Sequence, residues 1–180
     1  MQCFLKLTAA VFFATALSLC LRAEKVDKSP VTSFDLKRYL GTWYEIARFD
    51  HPFERGISHA TAEYVLRDDG KISVTNTGWK DSRSKTAIGK AKQPDPVNNP
   101  ALLRVSFFLF FYSDYRVLMI DDDYCLALVG SSSDKYLWIL SRSPQIPQKA
   151  VDMVLSEASR RGYDTSRLIW VNQERGIDNR

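Results

Sequence analysis

From residue 41 to residue 141, apolar and polar positions exchange in short runs, and the runs are broken by Gly, Pro, Asp and Ser. A period of two is the pattern of a strand with one face buried. It predicts eight strands. The first opens at Gly41 and the others are Ala60–Leu66, Ile72–Thr77, Ser84–Lys92, Leu103–Phe108, Tyr115–Ile120, Tyr124–Val129 and Tyr136–Ser141. Asp68-Asp69-Gly70 has the composition of a tight hairpin turn, and the loops around Pro52 and across Gln93–Pro100 are marked by proline. Strands this short at hairpin spacing predict an antiparallel barrel or sandwich.

The period lengthens near the end. Val151, Val154, Leu155 and Ala158 form one stripe of a helix over Gln148–Arg161, and Gly162 is placed to stop it. A short strand, Leu168–Val171, and a polar tail, 173–180, follow. Ahead of the strands, Ser33–Leu40 is a helical lead-in and 24–32 a polar linker. The first 23 residues have another character: Lys6, then an apolar run from Leu7 to Leu21. This is a signal peptide, too short for a membrane span. Cys20 stands where an acylated lipoprotein cysteine would stand, and cleavage after Ala23 is the alternative. Either way the chain is expected to be exported, to the outer membrane as a lipoprotein or to the periplasm.

Composition narrows the function. The 180 residues suit one domain from 33 to 172, and a net charge of +4 without a Lys/Arg run gives no nucleic-acid footprint. Cys3 and Cys20 fall in the leader, so Cys125 has no partner for an internal disulfide and is expected to be buried and inert. The two histidines, His51 and His59, come with no catalytic order or metal spacing, so neither catalysis nor a cofactor is expected.

Three blocks carry a resemblance: Gly41-Thr42-Trp43-Tyr44-Glu45-Ile46-Ala47-Arg48, then Asp121–Leu128, then Leu137-Trp138-Ile139-Leu140-Ser141-Arg142. In this order, with the helix after them, the chain resembles the lipocalins over residues 33–172. Within that family it is similar to the bacterial outer-membrane branch, which is related to apolipoprotein D. The resemblance implies an all-β fold with one C-terminal α-helix, an eight-stranded up-and-down barrel closed at one end. It also implies binding of a small apolar ligand, not catalysis, and for this branch fatty acids or lysophospholipids.

Counting strand directions places Arg142 at the same closed end as Trp43, where a guanidinium can stack on the indole, as the family pair does. Gly41, Trp43 and Arg142 are thus the expected barrel floor, with the acceptor for the Trp43 N–H still to be found. Alternation then predicts the lining: Glu45, Ala47, Ala62, Tyr64, Val74, Asn76, Val105, Phe107, Tyr115, Val117, Met119, Tyr136, Trp138 and Leu140. Small residues among them argue for a cavity over a filled core. The segment Phe107–Asp114 falls at the mouth and lacks the glycine and proline of related bacterial lipocalins. It is either an extended strand or an apolar rim that touches membrane or forms a homodimer contact. A carrier of lipids is the leading reading; a scavenger of a pigment or haem-like ring is the alternative.

Overall fold

The structure, a computed structural model, describes residues 25–174; the leader, Cys20 and tail residues 175–180 lie outside them. A helical turn, α1 (Leu36–Tyr39), leads into β1 (Gly41–Phe49), β2 (Ser58–Leu66), β3 (Ile72–Lys80) and β4 (Arg83–Lys92). Then come β5 (Leu102–Phe108), β6 (Phe111–Ile120), β7 (Leu126–Gly130) and β8 (Leu137–Ser141), followed by α2 (Gln148–Arg160) and β9 (Leu168–Trp170). Successive strands pair antiparallel, and β1 pairs with both β2 and β8, which closes an eight-stranded up-and-down barrel. The lower half of β1 takes β2 (Trp43↔Ala62). Its upper half, where β2 has diverged, takes β9 (Phe49↔Leu168).

Two apolar clusters sit on the two sides of the wall. The inner one gathers Tyr39, Trp43, Tyr64, Val74, Leu103, Val117 and Val129 at the bottom of the barrel. The outer one packs Ile46, Ala47, Phe49, Leu118, Leu128 and Ile139 under Val154 and Ala158 of α2. Strand β7 serves both: Ala127 and Val129 face in, and Leu126 and Leu128 lie under the helix. The helix ends as its sequence predicts, with Gly162 at φ +85°.

Two bulges change the expected lining. One breaks the β1–β8 register between Glu45 and Ala47, the other the β6–β7 register between Val117 and Met119. A bulge adds one residue to one strand, so every later side chain changes face. Ala47 and Met119, expected inside, therefore pack in the outer cluster. Arg48 comes in beside Glu45, and Ile120 packs on the inner cluster.

The N-terminal linker is docked rather than loose. Val26 and Val31 cover the outer and inner clusters, and Arg161 donates to the Ser29 carbonyl (2.8 Å) and Asp27. Gln173, in the expected polar tail, donates to the carbonyls of Glu45 (2.7 Å) and Ala60 (2.9 Å), bridging β1 and β2. Cys125, expected to be buried, is exposed in the turn after β6 because Tyr124, at φ +58°, takes the buried place next to it.

Candidate functional site

The floor is built from one helical turn and one arginine. Asp35 caps α1 by accepting from Lys37 N and Arg38 N, which fixes the turn against the barrel end. The turn aims the Tyr39 carbonyl at the Trp43 indole, whose Nε1 donates to it at 2.8 Å. That is the acceptor the indole needed. The Arg142 guanidinium lies 3.9 Å from the indole centroid and donates to the carbonyls of Arg38, Tyr39, Leu40, Thr42 and Tyr124. The first four carbonyls lie where the helical turn ends and the strand starts, and that of Tyr124 lies in the turn between β6 and β7, so one planar fork closes three chain segments. Gly41 sits at φ +92°, a conformation that side chains resist, with Arg142 Nη1 just 3.5 Å from where a Cβ would be.

Above the floor is a cavity of about 510 Å³, within the range of small-molecule sites. Of the expected lining residues, Glu45, Ala62, Tyr64, Val74, Asn76, Val105, Phe107, Tyr115, Trp138 and Leu140 stand on its wall. Val117 is packed in the inner cluster away from the cavity. Tyr136 is set back at the mouth, stacked on Trp138 with ring centroids 5.9 Å apart. Alternation did not find Phe53, Glu54 and Ile57 from the β1–β2 connection, nor Lys85, Thr86 and Ala87 on β4. The connection folds into the mouth because Arg48 donates to the Glu54 and Ile57 carbonyls. The β4 residues are reached because β4 pairs with β5 only at Lys90–Lys92, leaving a gap above. Phe107 leans into that gap over Gly89, where a Cβ would lie 2.7 Å from the ring.

An ionic cluster stands in the upper wall. Arg48 Nη1 donates to Glu45 Oε1 at 2.5 Å, His51 Nε2 is 2.9 Å from Glu54 Oε2, and Trp138 Nε1 donates to the same oxygen at 3.1 Å. Burial and then the neighbouring Glu54 carboxylate push Glu45 up to about 8, so it is neutral at pH 7. Burial would also raise Glu54, but the contacts with His51 and Trp138 and the charge of Arg48 hold it below its ordinary value. The two acids divide one site into a neutral and an ionised carboxyl.

The mouth is apolar at one point. Phe107–Asp114 is not a loop: β5 runs to Phe108 and β6 starts at Phe111, joined by the two-residue turn Leu109-Phe110. Phe108, Leu109, Phe110 and Phe111 are all more than half exposed, Phe110 at 73%.

A closed barrel with an apolar cavity, a helix on its flank and an arginine–indole floor defines a class of small-ligand binding folds. The family follows from comparison. A model described as "Lipocalin-like domain" matches residues 34–173, and the chain belongs to the lipocalin family. It is 50% identical over 146 residues to the outer membrane lipoprotein Blc of Citrobacter freundii, covering 79% of this chain and 81% of that one. To the Blc of Vibrio cholerae it is 45% identical over 167 residues, 91% and 96% of the two chains. Among solved structures, insecticyanin from the tobacco hornworm Manduca sexta superposes with a TM-score of 0.68 at 26% identity, covering 81% of this chain and 84% of that one.

Proposed function

We propose that the protein binds single-chain lipids, fatty acids or lysophospholipids, in the bacterial cell envelope. The acyl chain lies in the cavity and the headgroup at the mouth. The observation that carries this is the cavity itself, kept open by Ala62, Val74 and Ala87 where larger side chains would fill it. Each methylene buried there contributes about 0.8 kcal/mol, so a long chain gains more from burial than one hydrogen bond supplies. The likeness to outer membrane lipoproteins supports a site of action in the envelope, at the outer membrane or in the periplasm. Acylation of Cys20 would tether it there.

Titration of delipidated protein with palmitate and with a palmitoyl lysophospholipid, followed by calorimetry, tests the reading. Saturable binding to at least one is expected, and Ala62→Phe, which fills the cavity, should weaken it about 10-fold or more. A flat titration with both lipids, on folded protein, overturns it.

The exposed tip Leu109-Phe110 and its flanking phenylalanines form a membrane-touching rim, through which the mouth meets the lipid surface that supplies ligand. Lys80, Arg83 and Lys85 on the neighbouring hairpin suit an anionic surface. Flotation with anionic vesicles should be lost in a Phe110→Ser, Phe111→Ser variant. Sedimentation distinguishes the other occupant: a dimer that the same variant breaks, without vesicle binding, would mark the tip as a contact between two copies.

A further inference from the structure

We infer that the upper part of the β5–β6 hairpin, from Phe107 to Tyr115, is a hinged flap of the barrel wall. Lys90 and Lys92 hold it shut by lying over the Tyr112 ring, and an anionic lipid surface opens it by taking those two ammonium groups. This rests on the lipid reading and on the membrane-touching rim, and adds to them how the cavity opens where the membrane is.

The hairpin is joined to the rest of the wall only at its base. On one side, β5 pairs with β4 at Arg104, Val105 and Ser106 and no higher. On the other, β6 pairs with β7 from Arg116 down. Above these levels the two strands have only each other, and a register shift between Val105 and Phe108 interrupts that ladder too. A two-stranded hairpin is marginally stable alone. Phe108, Leu109, Phe110 and Phe111 are too exposed to anchor it by burial, so it has the marks of a segment that opens locally. Phe107, Phe111, Ser113 and Tyr115 line the cavity, so an outward swing about the base opens the barrel sideways.

Side chains stand in for the missing ladder. Inside, the Phe107 ring lies against Gly89 of β4. Outside, the ammonium groups of Lys92 and Lys90 on β4 reach across β5, to 4.7 and 5.9 Å from the centre of the Tyr112 ring. Such contacts are weak at exposed sites. Asp114, two residues on from Tyr112, is taken by Arg104 (3.3 Å) and Arg116 (2.9 Å). Among the described residues no ion pair includes Lys90 or Lys92. Both charges are therefore open to an anion that approaches from outside.

The height of the lysines says which anion. Lys90 is level with Ser106, two residues below Phe108, and so lies about 7 Å under the tip. An apolar face sinks about 5–10 Å into the headgroup layer. A rim inserted to that depth brings lipid phosphates to Lys90, with Lys92 next on the same face. An ammonium–phosphate hydrogen bond is charged on both sides and is stronger than a contact with a ring. Docking then removes the hold on Tyr112, and the wall opens toward the surface that supplies or receives the lipid.

The test compares the parent with a Lys90→Gln, Lys92→Gln variant and with Tyr112→Leu, all at positions outside the cavity wall. Protein loaded with anthroyloxy-palmitate is mixed with neutral phosphatidylcholine vesicles or with vesicles that also contain phosphatidylglycerol, and release is timed by fluorescence. The parent should release faster to the anionic vesicles. Both variants should release about 10-fold faster than the parent to the neutral ones, with equilibrium affinity within a few-fold, because a loosened flap speeds entry and exit alike. Attraction to the membrane without a latch gives the opposite: the lysine variant slows with anionic vesicles and is unchanged with neutral ones, and that result overturns the inference and leaves the lipid reading standing. Amide hydrogen exchange reads the flap without any lipid. Amides from Phe107 to Tyr115 should exchange faster than those of β7, and about 10-fold faster again in both variants; equal exchange in parent and variants overturns the latch. A parent that binds no lipid but shows this exchange overturns the lipid reading alone.

Discussion

The two ends of the barrel are built on opposite terms. At the floor, every strong polar group found next to the indole is matched: the Trp43 N–H has the Tyr39 carbonyl, and the Arg142 fork has five carbonyls. At the mouth, five consecutive apolar residues, Phe107–Phe111, face solvent, and a turn residue that is not glycine holds a positive φ. Between them, in the upper wall, two glutamates share a buried site that raises the pKa of Glu45 and lowers that of Glu54. The floor has the economy of a structural joint, with nothing left for a ligand to satisfy. The mouth and wall carry surplus, and surplus exposed or unpaired groups are what binding uses. If this division is right, substitutions at the floor should cost stability and leave the binding chemistry alone, and those at the mouth should do the reverse.

The largest effect is expected from Trp43→Ala. It empties a fully buried aromatic position and removes the surface on which Arg142 stacks, so urea unfolding should show a loss of about 3–5 kcal/mol. Arg142→Met comes next. It leaves the carbonyls at the end of α1 without their donor, at about 2–3 kcal/mol. Arg142→Lys should recover little of this, because an ammonium cannot reproduce the planar fork. Measured lipid affinity in both, below their unfolding transitions, should stay within a few-fold of the parent. A large drop in affinity from Arg142→Met, in protein still fully folded, would break the division at the floor.

The wall is tested by pH. Glu45 keeps its proton to about pH 8, against 4.5 for an ordinary glutamate. Between these values the folded chain holds more protons than the unfolded one. Stability therefore falls as pH rises through that window, and the contribution of the neutral carboxyl is complete only below it. Glu45→Gln keeps the neutral form and its contact with Arg48. It should flatten the fall, on the order of 2 kcal/mol between about pH 5 and pH 8, when urea midpoints are compared across that range. An unchanged slope would assign the proton to another group.

How much of this the sequence showed divides along the same line. The floor was legible to the residue. Strand counting alone puts Trp43 and Arg142 at one end of the barrel, where the two stack beside Gly41. The lower wall was legible too, since Ala62, Tyr64, Val74 and Asn76 lie on strands that keep strict alternation in that stretch. Alternation failed where a residue is inserted. Nothing in Glu45-Ile46-Ala47-Arg48-Phe49 marks the bulge, and either parity buries an acceptable set. Only a buried Glu45–Arg48 hydrogen bond at a three-residue separation betrays it, because a regular strand puts residues three apart on opposite faces. The connection carrying Phe53 and Glu54 was read as a loop and its inward fold was missed. The cause is long-range: Arg48, turned in by the bulge, captures that connection's backbone.

The smallest stability effect is also the one that separates the two ends most cleanly. Leu109 opens the turn between β5 and β6 at φ +48°, a conformation that costs a non-glycine residue about 1 kcal/mol. Its side chain is 61% exposed, so little burial offsets that cost. Glycine is the residue that this backbone favours, and a leucine there is hard to explain by folding. Leu109→Gly should therefore stabilise the protein by about 1 kcal/mol in urea unfolding, while removing an apolar side chain from the proposed membrane-touching tip. Flotation with anionic vesicles should fall as stability rises. A gain in stability with vesicle binding intact would leave the leucine without a role at the mouth. A loss of stability would mean that Leu109 belongs to the fold after all, and that the division between a structural floor and a functional rim is drawn in the wrong place.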